Sequence, residues 1–192
     1  MIRLFVSFFV LSALASVTAL AQTPAPATPQ QAPAQAQAQP VSGEVFEDPD
    51  GVYVVTLPAG WLAIVNTNAL GQHDVNIVYR VRENGALKVR KIDLDADVDP
   101  LAYATKDESE RLRFNPGYDK LALEKFLLSA GKYGAVAAYD YKNNAGQPFT
   151  SRVYYVRKDE KTLFVLQFTG RKNTLGVLRS QTDSIARSFR AK

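Results

Sequence analysis

The chain contains no cysteine, and histidine, methionine and tryptophan occur once each in 192 residues. The first absence excludes disulfides and a lipid anchor on a processed N-terminal cysteine. A chain without cysteine is compatible with an oxidising compartment but does not require one. With His73 as the single histidine, a multi-histidine zinc site is excluded too. His73 lies in the polar stretch Gly71-Gln72-His73-Asp74, read as a surface loop or turn. No nucleophile-elbow pattern G-x-S-x-G is present. Gly131, Gly134 and Gly146 have neither P-loop nor dinucleotide-binding spacing. Carboxylate pairs of the glycosidase type could form from any two acidic residues that meet in space, and nothing in the sequence selects a pair. The expectation is a protein that is not an enzyme.

What is present begins with an address. Arg3 precedes an uncharged, mostly apolar run over residues 4–20, ending in the small-x-small triplet Ala19-Leu20-Ala21. This is the layout of a secretory signal, predicted over residues 1–21 with cleavage after Ala21, and it implies a periplasmic or secreted protein. An uncleaved membrane anchor is the rival reading, but the run sits at the lower edge of the roughly 17–25 residues that span a bilayer. Residues 22–42 follow as an Ala/Pro/Gln-rich linker without charge or large apolar side chains up to Pro40. Such a stretch cannot bury enough surface to offset the entropy of ordering, and its prolines favour an extended, semi-rigid tether.

Residues 43–192 are long enough for one domain with a real core. Their charge is uneven. Residues 44–99 hold ten acidic and five basic side chains, whereas residues 152–192 hold ten basic and three acidic ones. The basic third could guide docking to an acidic partner or an anionic surface. Solvated faces that differ in sign would give the same count.

Residues 53–57 read as a β-branched and aromatic strand ended by the turn Pro58-Ala59-Gly60, with Trp61 as an apolar plug. Residues 75–81 alternate as a half-buried strand, and Asn84-Gly85 signals a hairpin into a partner over residues 87–94. Asp99-Pro100 opens a helix to about Leu112, with Asp99 accepting from free amides and proline fitting the first turn. Strands are expected over residues 120–128, 134–141, 149–157 and 163–169. A closing helix carries Leu175, Leu178, Thr182, Ile185 and Phe189 on one stripe, with Asn173 or Thr174 as cap and Arg179, Asp183 and Arg187 on its other side. Interleaved tyrosines and basic residues in the strands could stack on single-stranded nucleic acid, but aromatics are ordinary strand formers and an exported protein seldom meets that ligand. The predicted class is α+β, an antiparallel β-sheet flanked by helices.

The sharpest local feature is Asp93-Leu94-Asp95-Ala96-Asp97-Val98-Asp99. In an extended chain, Asp93, Asp95, Asp97 and Asp99 would share one face at spacings of about 6.5–7 Å. Calcium binds several such oxygens, so these four are the candidate metal ligands. The EF-hand pattern fails: its glycine position holds Val98 and its terminal glutamate position holds Ala104. The other reading is a solvated strand face whose last member caps the next helix.

The order of features resembles the PsbP-like group, which includes the photosystem II protein PsbP and the Mog-type nuclear import factors. The resemblance runs from about Phe46 to Arg190. It rests on the strand ending in Pro58-Ala59-Gly60-Trp61, the middle helix, the hairpins, the apolar last strand and the terminal Ile185-Ala186-Arg187-Ser188-Phe189-Arg190. It implies an α/β sandwich and a non-enzymatic role in binding larger assemblies or assisting their formation. Trp61 and Phe189 match structural positions of the group. The reading that follows is an exported binding or assembly-accessory protein of the cell envelope with a protein partner, the alternative being a calcium or small-ligand module.

Overall fold

The computed structural model describes residues 43–128 and 131–192; the expected signal segment and linker lie outside the described residues. Ten strands form two antiparallel sheets. A small sheet is built from β1 (Val45–Glu47), β2 (Tyr53–Thr56) and β10 (Arg190–Ala191), in the order β1-β2-β10. The large sheet holds β3 (Trp61–Thr67), β4 (His73–Tyr79), β5 (Ala86–Asp93), β6 (Asp119–Leu127), β7 (Tyr133–Lys142), β8 (Pro148–Asp159) and β9 (Thr162–Arg171). Its order is β3-β4-β5-β9-β8-β7-β6. Helix α1 (Pro100–Glu110) crosses between β5 and β6, and the short α2 (Lys172–Leu175) and the longer α3 (Arg179–Ser188) follow β9. Among the described residues no helix is long and apolar enough to cross a membrane.

Each face of the large sheet has its own core. On one face Trp61, Phe164, Leu166 and Phe168 pack with Leu175, Leu178 and Ile185 and with Tyr53 and Val55 of the small sheet. On the other, Ala137, Val153, Tyr155 and Val165 pack under Ala104 of α1 and Leu112 just beyond it. Strands β8 and β9 are almost wholly buried because they lie in the middle, covered on both sides.

The Pro58-Ala59-Gly60 turn passes the chain from the small sheet to the large one. Gly60 takes φ +90°, and a Cβ there would lie 2.7 Å from the Tyr79 ring, so glycine is required on both counts. Trp61 follows fully buried, meets Phe168 edge-on at 5.6 Å and donates from Nε1 to Gln181 Oε1 at 2.9 Å. It is therefore the first residue of β3, a strand that the sequence reading had taken only as a turn and its plug.

Three further expectations are corrected. The hairpin around Asn84-Gly85 uses a six-residue connection over residues 80–85, in which Arg80 takes the positive φ. Gly85 is needed instead for closeness, since a Cβ there would stand 3.1 Å from Tyr79 and 3.3 Å from Trp61. The closing helix is two pieces, and neither Asn173 nor Thr174 caps it. Leu175 and Leu178, on either side of the break, are both buried. Phe189 lies past the end of α3, where extended backbone leads its buried ring into β10.

Candidate functional site

Helix α3 is fastened to the sheet by a buried polar group that the sequence did not announce. Arg152 on β8 donates from Nε to the Tyr154 hydroxyl and from Nη2 to Asp183 Oδ1, both at 3.0 Å. Tyr154 donates to the same carboxylate and meets Thr182 Oγ1 at 2.9 Å. Burial drives the Tyr154 hydroxyl far above the ordinary tyrosine value, so it stays neutral and serves as a donor. Asp183, expected on the solvent side of the helix, is instead turned inward with only 15% of its side chain exposed. Its spacing from Arg179 and Arg187 made it look like part of a charged outer stripe. The available signal was Arg152, a charge directly before the apolar run Val153-Tyr154-Tyr155-Val156.

With Asp183 withdrawn, the outer side of α3 is cationic. Arg179 stands exposed at its start and Arg187 near its end, where the guanidinium lies 4.8 Å from the Phe126 ring and reaches the Leu127 carbonyl. Beside the start of α3 a groove of about 390 Å³ is floored by Ala122 and Ala138 and rimmed by Arg152, Lys172 and Arg179. Lys172 is paired there with Asp140 at 2.6 Å. Beside its end a second groove, of about 330 Å³, sets Lys132, Lys158 and Arg190 around Leu128, Val156 and Phe189. Arg190 is held by the carbonyls of Arg187 and Phe189, each at 2.7 Å. Arg179 and Lys132 have no ion-pair partner among the described residues. Arg179 and Arg187 thus form a short cationic ridge on α3 with a shallow groove at either end, and Lys132 adds to the second groove from the start of β7.

The opposite face has a second polar cluster. Asp107 on α1 accepts from Arg111 Nε and Nη2 at 2.7 and 2.6 Å and from the Tyr155 hydroxyl at 2.7 Å. Burial acts to raise the Asp107 carboxyl, but the hydrogen bonds from Arg111 and Tyr155 outweigh it and hold it below the usual range. Glu108 beside it accepts from Tyr118 at 2.9 Å.

The aspartate run does not stay on one extended face. Strand β5 ends at Asp93, which pairs with Lys91 at 3.1 Å, and Asp95 sits exposed in a bend. Asp97 pairs with Arg157 at 2.7 Å. Asp99 caps α1, accepting from Leu101 and Ala102 at 2.9 and 3.2 Å. No group of three or more His, Cys, Asp or Glu side chains is placed to hold a metal among the described residues. His73 opens β4, with Nδ1 2.8 Å from Asp50.

Neither the family models nor the curated proteins contain a match. The solved structures do, at low identity. LpqN of Mycobacterium tuberculosis, described as involved in cell envelope biogenesis, is 15% identical with a TM-score of 0.53, over 81% of this chain and 91% of that one. The cyanobacterial PsbP (CyanoP) from Synechocystis is 15% identical with a TM-score of 0.52, over 78% and 92%. The Ran-binding protein Mog1p of Saccharomyces cerevisiae is 12% identical with a TM-score of 0.51, over 80% and 96%. The chain has the PsbP/Mog-like fold.

Proposed function

We propose that this chain is an exported, non-catalytic binding protein of the cell envelope that docks an acidic protein partner on the basic ridge along α3. The observation that carries the reading is the ridge itself: Arg179 and Lys132, exposed and without counter-ions among the described residues, each lining one of two grooves beside α3. Cations left unpaired around a low, partly apolar surface favour association with a surface of opposite charge. The segment over residues 1–21 supports export. LpqN, with the same fold, is described as acting in cell envelope biogenesis, and Mog1p as Ran-binding.

Binding without turnover is supported by the state of the titratable groups. Tyr154 and Tyr155 are driven up by burial and stay neutral, while Asp107 is held down and stays ionised. Every buried side-chain nitrogen and oxygen among the described residues has a hydrogen-bond partner. Groups locked to one another in this way are poorly disposed to exchange protons with a substrate.

The test is capture from envelope extract on the immobilised protein at low and high salt, with an Arg179→Glu/Lys132→Glu variant alongside. Both residues are exposed and lack ion pairs, so the fold is left alone. A protein retained at low salt, released at high salt and lost with the variant supports the reading. Equal retention by the variant contradicts it.

A further inference from the structure

Strands β4 and β5 separate soon after their hairpin. Their pairing is limited to Ile77↔Leu87 and Val78↔Ala86, together with a bond from Tyr79 N to the Gly85 carbonyl at 2.8 Å. Elsewhere β4 is laddered to β3, and β5 to β9, along their full lengths. In an antiparallel ladder, alternate residues direct both N–H and C=O to the same neighbour. Tyr79 and Ile77 face β5, so Val75 and His73 face the same way, and from β5 Val89 and Lys91 face them. His73, Val75 and Val89 line a cavity of about 510 Å³ that lies between the two strands, and Lys91 lies outside its lining. One wall carries Asp48, just past β1, and Tyr53 of β2, the other Gln167 and Thr169 of β9.

We propose that this gap receives an extended polypeptide segment of another protein, which enters between β4 and β5 as an added strand. A polypeptide is the one common ligand that offers donors and acceptors in alternation along both edges, as two facing strand edges require. An exposed edge left unpaired in the middle of a sheet, rather than at its rim, is a liability unless something fills it. The opening also selects charge. Asp48, Asp50 and Asp74 line it from the β1–β2 connection and the start of β4, and Arg82 and Lys88 from the hairpin connection and β5, so a lysine or arginine at one of the segment's alternate positions meets carboxylates at the first and is repelled at the second. None of the lining residues belongs to the ridge along α3, and the two sites succeed or fail separately.

The experiment is fluorescence anisotropy on the purified protein with short labelled peptides of alternating valine and lysine, valine and threonine, or valine and glutamate. The lysine series binds saturably and about tenfold or more tighter than the glutamate series. Methylating alternate backbone nitrogens of the peptide removes the donors along one edge and weakens binding by about tenfold or more. Hydrogen exchange slows at the amides of His73, Val75, Val89 and Lys91 when the peptide is bound. Val89→Pro removes one donor facing the gap without touching the β5–β9 ladder and reduces affinity; the methylated peptides give the same answer should that variant not fold. Binding indifferent to backbone methylation, protection confined to other amides, or no saturable binding by any series overturns the proposal. So does self-association of the unliganded protein that protects these four amides, which makes a second copy the occupant.

Discussion

Tyr154 and Tyr155 are neighbours on β8, and because successive residues of a strand point to opposite faces they make the same contact on opposite sides of the sheet. Tyr154 donates to Asp183 of α3, and Tyr155 donates to Asp107 of α1. Each aspartate also takes an arginine, and there the two sides part. Arg111 caps the C-terminus of α1, one turn from Asp107, and 41% of its side chain is exposed. Arg152 belongs to the sheet, and only 9% of its side chain is exposed. Helix α1 therefore carries its own counter-ion and would take it along if it lifted away. Helix α3 would strand a buried positive charge on the sheet. The face that presents the docking ridge is thus the one anchored by the more demanding pair, which suits a surface that must hold its shape against a partner.

The largest effect should come from breaking the pair under α3. Asp183→Ala leaves Arg152 buried and uncompensated, and is expected to cost about 3–5 kcal/mol in urea unfolding. Replacing both partners with apolar residues, as in Arg152→Met/Asp183→Leu, should recover most of that loss, because the cost comes from the orphaned charge. Tyr154→Phe comes next, at about 1–3 kcal/mol, since it strips a donor from a buried carboxylate. Asp107→Ala on the other face should cost less than Asp183→Ala, about 1–3 kcal/mol, because Arg111 can turn to water and only the buried Tyr155 hydroxyl loses its acceptor. If the two aspartate variants proved equally costly, the distinction between the anchors would be lost.

Acid sharpens the same comparison. Asp107 is held below its ordinary value of 3.8 in the folded protein, so its contribution is complete above that value and is lost as pH falls through the depressed one. Melting followed from pH 5 downward should show a decline in the wild type that Asp107→Asn partly removes. The smallest effect is expected from calcium. Asp93, Asp97 and Asp99 are directed to Lys91, to Arg157 and to the amides of α1, and Asp95 stands apart in an exposed bend, so millimolar calcium should leave the melting temperature unchanged. An upward shift lost in Asp95→Asn/Asp97→Asn would establish a cation site in that run.

Much of the fold was legible in the residues. Asp99-Pro100 starts α1 as expected because the cap and the proline each act within one turn. The apolar segment over residues 163–169 is the centre of the sheet because continuous apolar character is what burial on two faces demands. Strand β3 was missed because Trp61 was read as closing a turn, although the same turn carries the chain from one sheet to the other. The candidate surface was legible only as a charge imbalance. Nothing local distinguished Asp183, which turns inward, from Arg179 and Arg187, which turn outward, because the partner that decides it, Arg152, lies 31 residues away. The gap between β4 and β5 was hidden for a related reason, since the Asn84-Gly85 signal spoke for pairing at the hairpin and not for how far pairing would continue.

The most direct test of the docking account is the affinity of the captured partner for three forms of the protein at low and high salt. These are the wild type, the ridge variant Arg179→Glu/Lys132→Glu, and a variant with Glu110→Lys on the exposed side of α1. The account predicts that the ridge variant loses binding at low salt while the α1 variant keeps it, and that wild-type affinity falls as salt screens the ridge. Equal affinity for all three forms, or binding indifferent to salt, would contradict it.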